Sequence, residues 1–255
     1  IYFSWWTYMI IKKYKYTGKN KYELTIDDEN KTFYEDIILK YNLLLKKEIT
    51  KKELEILIKE NEFYEIYYKG IEILNRRKKT KKELKESLKK YYDNETQINK
   101  AIERIDKEGY INNKDYSRSY IFDSMKFKDY GPYKIKRQLL DLGVEENIID
   151  EELKVFTKDI IDEKIKKHIN KKVKTNTNKS ERNLKEKIIQ SLISDGYQKE
   201  DIIKNLNNIS FDDSTIEKKE YEKLYKKLSN KYSGKELELK LKQKMYQKGF
   251  YNKND

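Results

Sequence analysis

The residues with the greatest capacity for chemistry in this sequence are cations concentrated in one segment. Between Lys164 and Lys187 the chain carries ten Lys and Arg residues but two acidic ones, which leaves a net charge of +8. The whole chain of 255 residues has 58 Lys and Arg against 45 Asp and Glu, a net charge of +13. Such an excess favours a polyanion or an acidic protein surface as partner. A solvated helix face covered by long lysines gives the same pattern, so both interpretations stay open.

Two shorter groups of cations are further candidates for binding an anionic partner. Lys134 and Arg137 are three residues apart, so they share one face of a predicted helix. Arg76 and Arg77 are adjacent. An exposed helix surface without any partner is the alternative for each group. The candidate contact residues are Arg76, Arg77, Lys134, Lys136, Arg137, Lys171, Lys172, Lys174, Arg182 and Lys185.

The residue sets that catalysis or metal binding needs are missing from the sequence. It has no cysteine, which excludes disulfides and thiolate nucleophiles, and a single histidine, which excludes zinc sites built on several His or Cys. His168 has no acidic partner in register, so we expect it on the surface. Paired carboxylates fall at turns or helix starts, and no phosphate-binding glycine loop is present. We therefore predict a chain that is not an enzyme and holds no cofactor or metal.

The apolar residues that must position these cations repeat with a period of about 50 residues. Each copy has two apolar residues at i and i+4, and in three copies a glycine stands four residues further on. Successive copies are offset by 51, 53 and 53 residues. A fixed period of this length is typical of a stacked supersecondary unit. The pairs are Leu84/Leu88, Ile135/Leu139, Ile188/Leu192 and Leu241/Met245, and the glycines are Gly143, Gly196 and Gly249.

Local signals place the ends of the helices within each copy. Capping boxes, in which a Ser or Thr and a Glu three residues later satisfy free backbone N–H groups, are predicted at Thr50–Glu53, Thr80–Glu83 and Ser233–Glu236. Pro132 suits a first helical turn. Left-handed glycines are expected to end helices at positions 109, 143, 196 and 249. In the second copy these signals predict helices over about 113–127, 132–142 and 145–155.

The beginning of the chain has a different pattern. Residues Met9–Tyr16 and Lys21–Asp27 alternate and are rich in Tyr, Ile and Thr, which predicts a hairpin, and Lys31–Tyr34 adds a third short strand. From Glu35 onward we expect helices throughout. The apolar residues 1–11 are too few to span a membrane and make a poor signal peptide, and no run of 18 apolar residues follows.

These patterns predict a mainly α fold, in which tandem three-helix repeats form an elongated, curved array behind a small β-hairpin segment. The predicted divisions are a β-rich segment with short helices over 1–60, helical repeats over 61–111, 112–160 and 161–212, and a partial repeat over 213–255.

Two stretches near the middle of the chain carry a family signature. The first is Ile105–Tyr120, which contains Gly109-Tyr110-Ile111, and the second runs from Tyr130-Gly131-Pro132 to Leu140, followed by Gly143-Val144 and Ile148–Glu151. Together they resemble the RecX family, whose pattern runs roughly L-x-x-x-G-Y-I-(N/D)-D-x-x-Y-A-x-x-Y and then G-P-x-x-I-x-x-x-L-x-x-x-G. Ser117 and Lys114 depart mildly from it, and Tyr92-Asp93 replaces the usual Gly-Tyr turn in the first copy.

The resemblance implies a cytoplasmic regulator of the RecA recombinase. Members of this family dock along the groove of the RecA–DNA filament and usually inhibit strand exchange, ATP hydrolysis and coprotease activity in DNA repair, recombination and the SOS response. We accordingly expect a monomer that contacts RecA filaments, touches DNA through the filament and only weakly alone, and has no membrane association. A helical-repeat protein that binds nucleic acid directly, without RecA, is the alternative. A scaffold for another acidic partner is a third interpretation.

Overall fold

The structure, a computed structural model, describes residues 8–250, so the first seven residues of the apolar start and the last five of the chain lie outside it. The chain divides into two compact units between Tyr116 and Ser117. No helix between residues 8 and 250 combines the length and the apolar character that crossing a bilayer requires.

A four-stranded antiparallel sheet opens the first unit. Its strands are β1 (Tyr8–Gly18), β2 (Lys21–Ile26), β3 (Glu29–Tyr34) and β4 (Glu48–Thr50), in the order β3-β2-β1-β4. The predicted hairpin and third strand are confirmed. The expectation of helices throughout from Glu35 is wrong at β4, which is three residues long and pairs with Tyr8–Ile10 about 40 positions earlier. A strand of three residues is too short to show an alternating pattern, so its pairing with the distant β1 cannot be seen in the sequence.

Four helices complete the first unit: α1 (Glu35–Lys40), α2 (Lys51–Arg76), α3 (Lys81–Leu88) and α4 (Glu95–Lys107). The inner face of the sheet packs with α1 and the start of α2 around Leu24, Ile26 and Phe33. The rest of α2 packs with α3 and α4 around a separate cluster that includes Leu84 and Leu88, the apolar pair of the first copy. The predicted boundary between residues 60 and 61 falls inside α2, and the division of the chain into repeats stays a prediction.

Eight further helices lie between residues 113 and 247. They are α5 (Asn113–Phe127), which spans the division between the units, α6 (Pro132–Asp141), α7 (Glu146–Glu152) with a 3-10 turn over Leu153–Val155, α8 (Lys158–Lys174), α9 (Glu181–Ser194), α10 (Lys199–Asn207), α11 (Ser214–Leu228) and α12 (Gly234–Gln247). The mainly α fold with a small N-terminal sheet is confirmed. Ile188 and Leu192 lie in one apolar cluster of the second unit, and Leu241 and Met245 lie in another.

Most of the predicted helix ends are confirmed. Capping boxes begin α2 at Thr50 and α3 at Thr80, and Pro132 occupies the first turn of α6. The capping box predicted at Ser233 is wrong, because the Ser233 side chain accepts no bond from the backbone of α12. The four glycines expected to end helices all have positive φ: Gly109 (80°), Gly143 (80°), Gly196 (89°) and Gly249 (81°).

Within the second unit, the end of α9 lies against the beginning of α6. The backbone N–H of Gly131 donates to the carbonyl of Asp195 at 2.7 Å, and that of Tyr133 donates to the carbonyl of Gly196 at 3.2 Å. The first N–H groups of a helix and its last carbonyls have no partner inside their own helix, so each end satisfies the other. The Lys134 ammonium adds an ion pair to Asp195 at 3.2 Å.

The end of α12 meets the beginning of α9 in a related way. The carbonyl of Lys248 accepts bonds from Ser180 Oγ at 2.9 Å and from Asn183 Nδ2 at 2.8 Å. Here side chains of the receiving helix replace its backbone N–H groups as donors. We call these two contacts the helix-end junctions, and they join the predicted second, third and fourth copies.

Gly196 is required at the first junction, both for its conformation and for its size. Its φ of +89° is rarely adopted by other residues, and an added Cβ would lie 2.4 Å from the backbone nitrogen of Lys134. At Gly234 the φ of +54° is also left-handed, but an added Cβ would meet nothing within 4 Å. The two glycines therefore separate the conformational requirement from the steric one.

We predict that Gly196→Ala destabilises the second unit considerably more than Gly234→Ala. The control variant should lose about 1–2 kcal/mol for the left-handed residue alone. Gly196→Ala should lose about 1–3 kcal/mol more, because the methyl group forces the junction apart. Urea denaturation followed by circular dichroism measures both. Equal losses would show that the close approach at Gly196 contributes nothing to stability.

The capping boxes give a second matched pair of variants. Thr80 is buried, its hydroxyl accepts from the Glu83 N–H at 3.2 Å, and its own N–H donates to Glu83 Oε2 at 3.1 Å. Thr80→Ala should therefore cost about 1 kcal/mol. Ser233→Ala should cost less than about 0.5 kcal/mol, as at an ordinary surface site. Urea midpoints of the two variants decide it, and the opposite ranking would contradict the assignment of the caps.

Candidate interaction surface

The second half of α8 presents a lysine face to solvent. Thr157 caps the helix by accepting from the N–H of Ile160, and the side chains of Ile165 and Ile169 are fully buried on its inner side. Residues at i, i+4 and i+7 lie on one side of a helix. Lys167, Lys171 and Lys174 have this spacing on the side opposite the two isoleucines, and all three are exposed.

We define the lysine face as Lys166, Lys167, Lys171 and Lys174. Among the described residues, no ion pair neutralises the charge of these four side chains. No carboxylate within residues 8–250 lies within 4.0 Å of any of the four ammonium groups. Residues 164–174 contain six lysines and no acidic residue, so Lys171 and Lys174 have no carboxylate one turn earlier in α8. Asp162 and Glu163 stand four residues before Lys166 and Lys167, but their carboxylates do not pair with those ammonium groups. Cations at a helix C-terminus also complement the helix dipole, which makes this end of α8 a favourable place to hold them.

The lysines at the beginning of α8 have different roles. Lys158 pairs with Asp201 at 2.6 Å. Lys164 donates to the carbonyl of Met125 at 2.7 Å and pairs with Asp129 at 3.4 Å, which attaches α8 to the segment after α5. Within α8 the ion-paired lysines therefore lie in its first half, and the lysine face lies in its second half.

His168 does not lie on the surface, so that expectation is wrong. It is half-buried, and its Nε2 atom is fully buried without a hydrogen-bond partner among the described residues. Burial and the nearby Lys172 lower its pKa, while Asp195 and Asp129 oppose that shift more weakly. His168 is consequently neutral at pH 7 and adds no charge to the lysine face.

We predict that the second unit loses stability as the pH falls below about 6.5, the ordinary pKa of histidine. The unfolded chain binds a proton on His168 there, whereas the folded chain resists it, so protonation favours unfolding. His168→Gln should reduce this pH dependence between pH 7 and pH 5. Urea midpoints across that range test it, and identical pH profiles for the variant and the parent chain would contradict the buried environment of His168.

The structure uses two of the candidate cations on α6 for internal contacts. Lys134 joins Asp195 in the first helix-end junction, and its ammonium lies 3.9 Å from the centroid of the Tyr130 ring. Lys136 pairs with Glu146 and Asp150, both at 2.7 Å, and hydrogen bonds to Asp150 and Glu146 raise its pKa. Arg137 is exposed. On the face that Lys134 and Arg137 were predicted to share, Lys134 is thus in contact with the end of α9, and Arg137 is exposed.

The remaining candidates are spread over both units. Arg76 pairs with Glu72 one helical turn earlier, and Arg77 is exposed at the end of α2. Lys185 pairs with Glu181 at 2.5 Å and lies over the ring of Phe211. Arg182 is exposed on α9, and Lys172 is half-exposed beside the lysine face. The structure therefore groups the candidates Lys171, Lys172 and Lys174 with two lysines that were not candidates, Lys166 and Lys167. The i, i+4, i+7 spacing of Lys167, Lys171 and Lys174 is visible in the sequence and could have revealed the group.

An aromatic surface on α5 was missed by the sequence analysis. Phe122 and Phe127 are 58% and 72% exposed, and the Lys126 ammonium lies 5.4 Å from the centroid of each ring. Phe122 and Lys126 border a mostly apolar groove of about 720 Å³ that Val155 and Lys164 also line. Exposed phenylalanines five residues apart have no helical periodicity with the core, which is why the pattern did not reveal them.

The described residues show no metal centre. Within residues 8–250 no group of three or more His, Asp or Glu side chains is placed to hold an ion.

Comparison with known proteins relates the chain to a set of bacterial regulators. It is 29% identical over 200 residues to the regulatory protein RecX of Clostridium tetani. This alignment covers 77% of this chain and 91% of that protein. It is also 29% identical over 136 residues to the regulatory protein RecX of Streptococcus agalactiae serotype V, which covers 50% of this chain and 52% of the relative. The chain thus spans about half the length of that second relative. No family model matches the sequence.

Solved structures agree with the sequence comparison. A crystal structure of regulatory protein RecX superposes with a TM-score of 0.68 at 21% identity and covers 76% of this chain and 96% of that one, which establishes the shared fold. RecX from Lactobacillus salivarius superposes with a TM-score of 0.51 at 29% identity, over 58% of this chain and 97% of that one. Together with the glycine-ended helices and the Ile105–Tyr120 signature, these similarities support the resemblance of the chain to the RecX family.

Proposed function

We propose that this chain binds RecA filaments assembled on DNA and modulates RecA, in the direction of inhibition. Its effect would fall on strand exchange, ATP hydrolysis and coprotease activity, and it would act in the cytoplasm as a monomer without catalysis of its own. The resemblance to the RecX family supports this proposal, and relatives are named regulatory proteins. The observation that carries it furthest is the lysine face of α8, an unneutralised cationic surface on a chain with this family resemblance.

The mechanism we propose is electrostatic and steric. The ammonium groups of Lys166, Lys167, Lys171 and Lys174 would contact phosphates of the filament-bound DNA or carboxylates of RecA. Exposed Arg137 and Arg182, and Arg77 in the first unit, would make further contacts. Several weak contacts along one filament bind together more tightly than any one alone, which favours the assembled filament over free protein or DNA. Occupying the filament groove would exclude the incoming duplex.

The single-strand-DNA-dependent ATP hydrolysis of RecA tests this function directly. The chain should lower the rate when present at well below one molecule per RecA protomer, because a filament can be blocked or capped at few positions. No change at equimolar protein, together with tight binding to naked DNA, would overturn the RecA proposal.

We predict that the triple variant Lys167→Glu/Lys171→Glu/Lys174→Glu weakens filament binding at least about tenfold. If all three lysines contact phosphates, the slope of log affinity against log salt should also fall by about 2 units, from roughly 0.7 per contact on single strands. Binding is measured by fluorescence anisotropy of labelled filaments at several salt concentrations.

A matched control is available on α11. Lys219, Lys223 and Lys226 have the same i, i+4, i+7 spacing and are exposed, but Glu217, Glu220 and Glu222 are interspersed along that helix. Reversing those three charges should leave the affinity and the salt slope nearly unchanged. If both triple variants weaken binding equally, net charge and not the lysine face determines the interaction. Lys134 is avoided because its replacement would break a helix-end junction.

Direct binding of nucleic acid without RecA is the second candidate function, and the same lysine face favours it. A row of unpaired ammonium groups binds phosphates whether or not a protein coats the strand. The two functions differ in preference: a RecA regulator binds coated DNA better than naked DNA, whereas a nucleic-acid-binding repeat does not. The filament assay repeated with naked single strands distinguishes them.

A further inference from the structure

The long strand β1 has a free edge in the first unit. On one side β1 pairs with β2 over most of its length, from Ile11 to Gly18. On the other side β4 pairs only with Tyr8–Ile10, and a last backbone bond joins the Ile11 N–H to the carbonyl of Lys47 at 2.9 Å. Within residues 8–250 no strand pairs with residues 12–18 on that side. Along residues 12–18 the N–H and C=O groups that point away from β2, which belong to about every second residue, thus have no neighbouring strand among the described residues.

The two faces of this free segment differ in chemistry. Tyr14 pairs with the fully buried Leu24, and Tyr16 pairs with Tyr22, so both tyrosines lie on the core face of the sheet. Because β1 extends beyond the core, these two rings remain 57% and 54% exposed. Lys13 and Lys15 alternate with them and point to the opposite face. The edge is therefore aromatic on one face and cationic on the other.

The charge of the hairpin determines which strand the edge accepts. Residues 12–22 include five lysines and no acidic residue. A second copy pairing along the same edge would bring lysine against lysine, which repels it, as lysines commonly do at natural sheet edges. A strand with acidic residues at alternate positions would instead gain ion pairs with Lys13 and Lys15 while its apolar residues cover Tyr14 and Tyr16.

We propose that the free edge of β1 takes up an extended, alternating acidic and apolar segment of a partner protein by strand addition. Main-chain hydrogen bonds would supply affinity, and the two faces would supply selectivity. The opposite placement of rings and ammonium groups favours a peptide over a nucleic-acid strand, because bases stacked on the tyrosines would leave the phosphates away from the lysines. This proposal stands independently of the RecA function.

The probe for this edge is a fluorescein-labelled nine-residue peptide that alternates glutamate with valine. It should bind the full chain with measurable anisotropy at moderate salt. Two backbone-methylated versions, one methylated at the glutamate nitrogens and one at the valine nitrogens, keep every side chain but remove the N–H donors of one peptide edge each. Strand addition predicts that one version binds at least about tenfold more weakly and the other binds normally. Equal binding of all three peptides would overturn strand addition.

Charge reversal in the chain tests the selectivity. Lys13→Glu/Lys15→Glu should weaken the glutamate–valine peptide at least about tenfold and should gain affinity for a lysine–valine peptide of the same length. The control Lys90→Glu/Lys100→Glu changes the same net charge at exposed positions outside the sheet and should leave peptide binding unaltered. Equal weakening in both variants would reduce the interaction to net charge and overturn the proposal.

A nucleic-acid arm completes the experiment. A ten-nucleotide oligothymidylate should not displace the labelled peptide from the parent chain. Displacement that disappears in Lys13→Glu/Lys15→Glu would assign the hairpin to nucleic acid and overturn the peptide proposal.

Discussion

The second unit depends on one constraint: the last carbonyls of a helix must find donors, and the first N–H groups of a helix must find acceptors. The structure meets both needs at once by placing the end of α9 on the beginning of α6. The negative end of one helix dipole then lies at the positive end of another, which adds favourable electrostatics to the hydrogen bonds. Two backbones can approach this closely only where no Cβ intervenes, so Gly196 and Gly131 face each other across the contact.

Much of this architecture was predictable because local physics determines it. The i, i+4 apolar pairs fix which helix faces are buried, and Leu84, Ile135, Ile188 and Leu241 are all buried as their period predicts. Thr50 and Thr80 form caps because the required Glu stands three residues later in an otherwise regular helix. The same four-residue pattern precedes α12 at Ser233, but there the serine side chain forms no bond to the helix. A capping motif therefore shows that the residues for the capping hydrogen bonds are present. It does not show that these bonds form in the folded chain.

The candidate surface was harder to predict, because charge in a sequence does not reveal which charges are neutralised. Lys185 with Glu181 and Arg76 with Glu72 are i, i+4 pairs and could be anticipated. Lys134 pairs with an acid 61 positions away, and Lys164 contacts a carbonyl 39 positions away, so only the folded chain shows them to be structural. His168 was misplaced for the same reason, since burial of its ring comes from packing with distant elements. Among the cations that stay without such a pairing, those of the lysine face of α8 form a smaller and better defined surface than the basic segment from which they come.

The helix-end junctions have a consequence for how such a chain changes over time. The first consists largely of main-chain atoms, which every amino acid supplies, and of positions where a side chain is absent. Substitutions on the outer helix faces therefore leave the fit between neighbouring copies intact. A lineage can redistribute lysines and acids over these faces, and so exchange one binding partner for another, while the scaffold beneath keeps the same dimensions. The helix-end junctions and the residues of the binding surface can therefore change largely independently of each other.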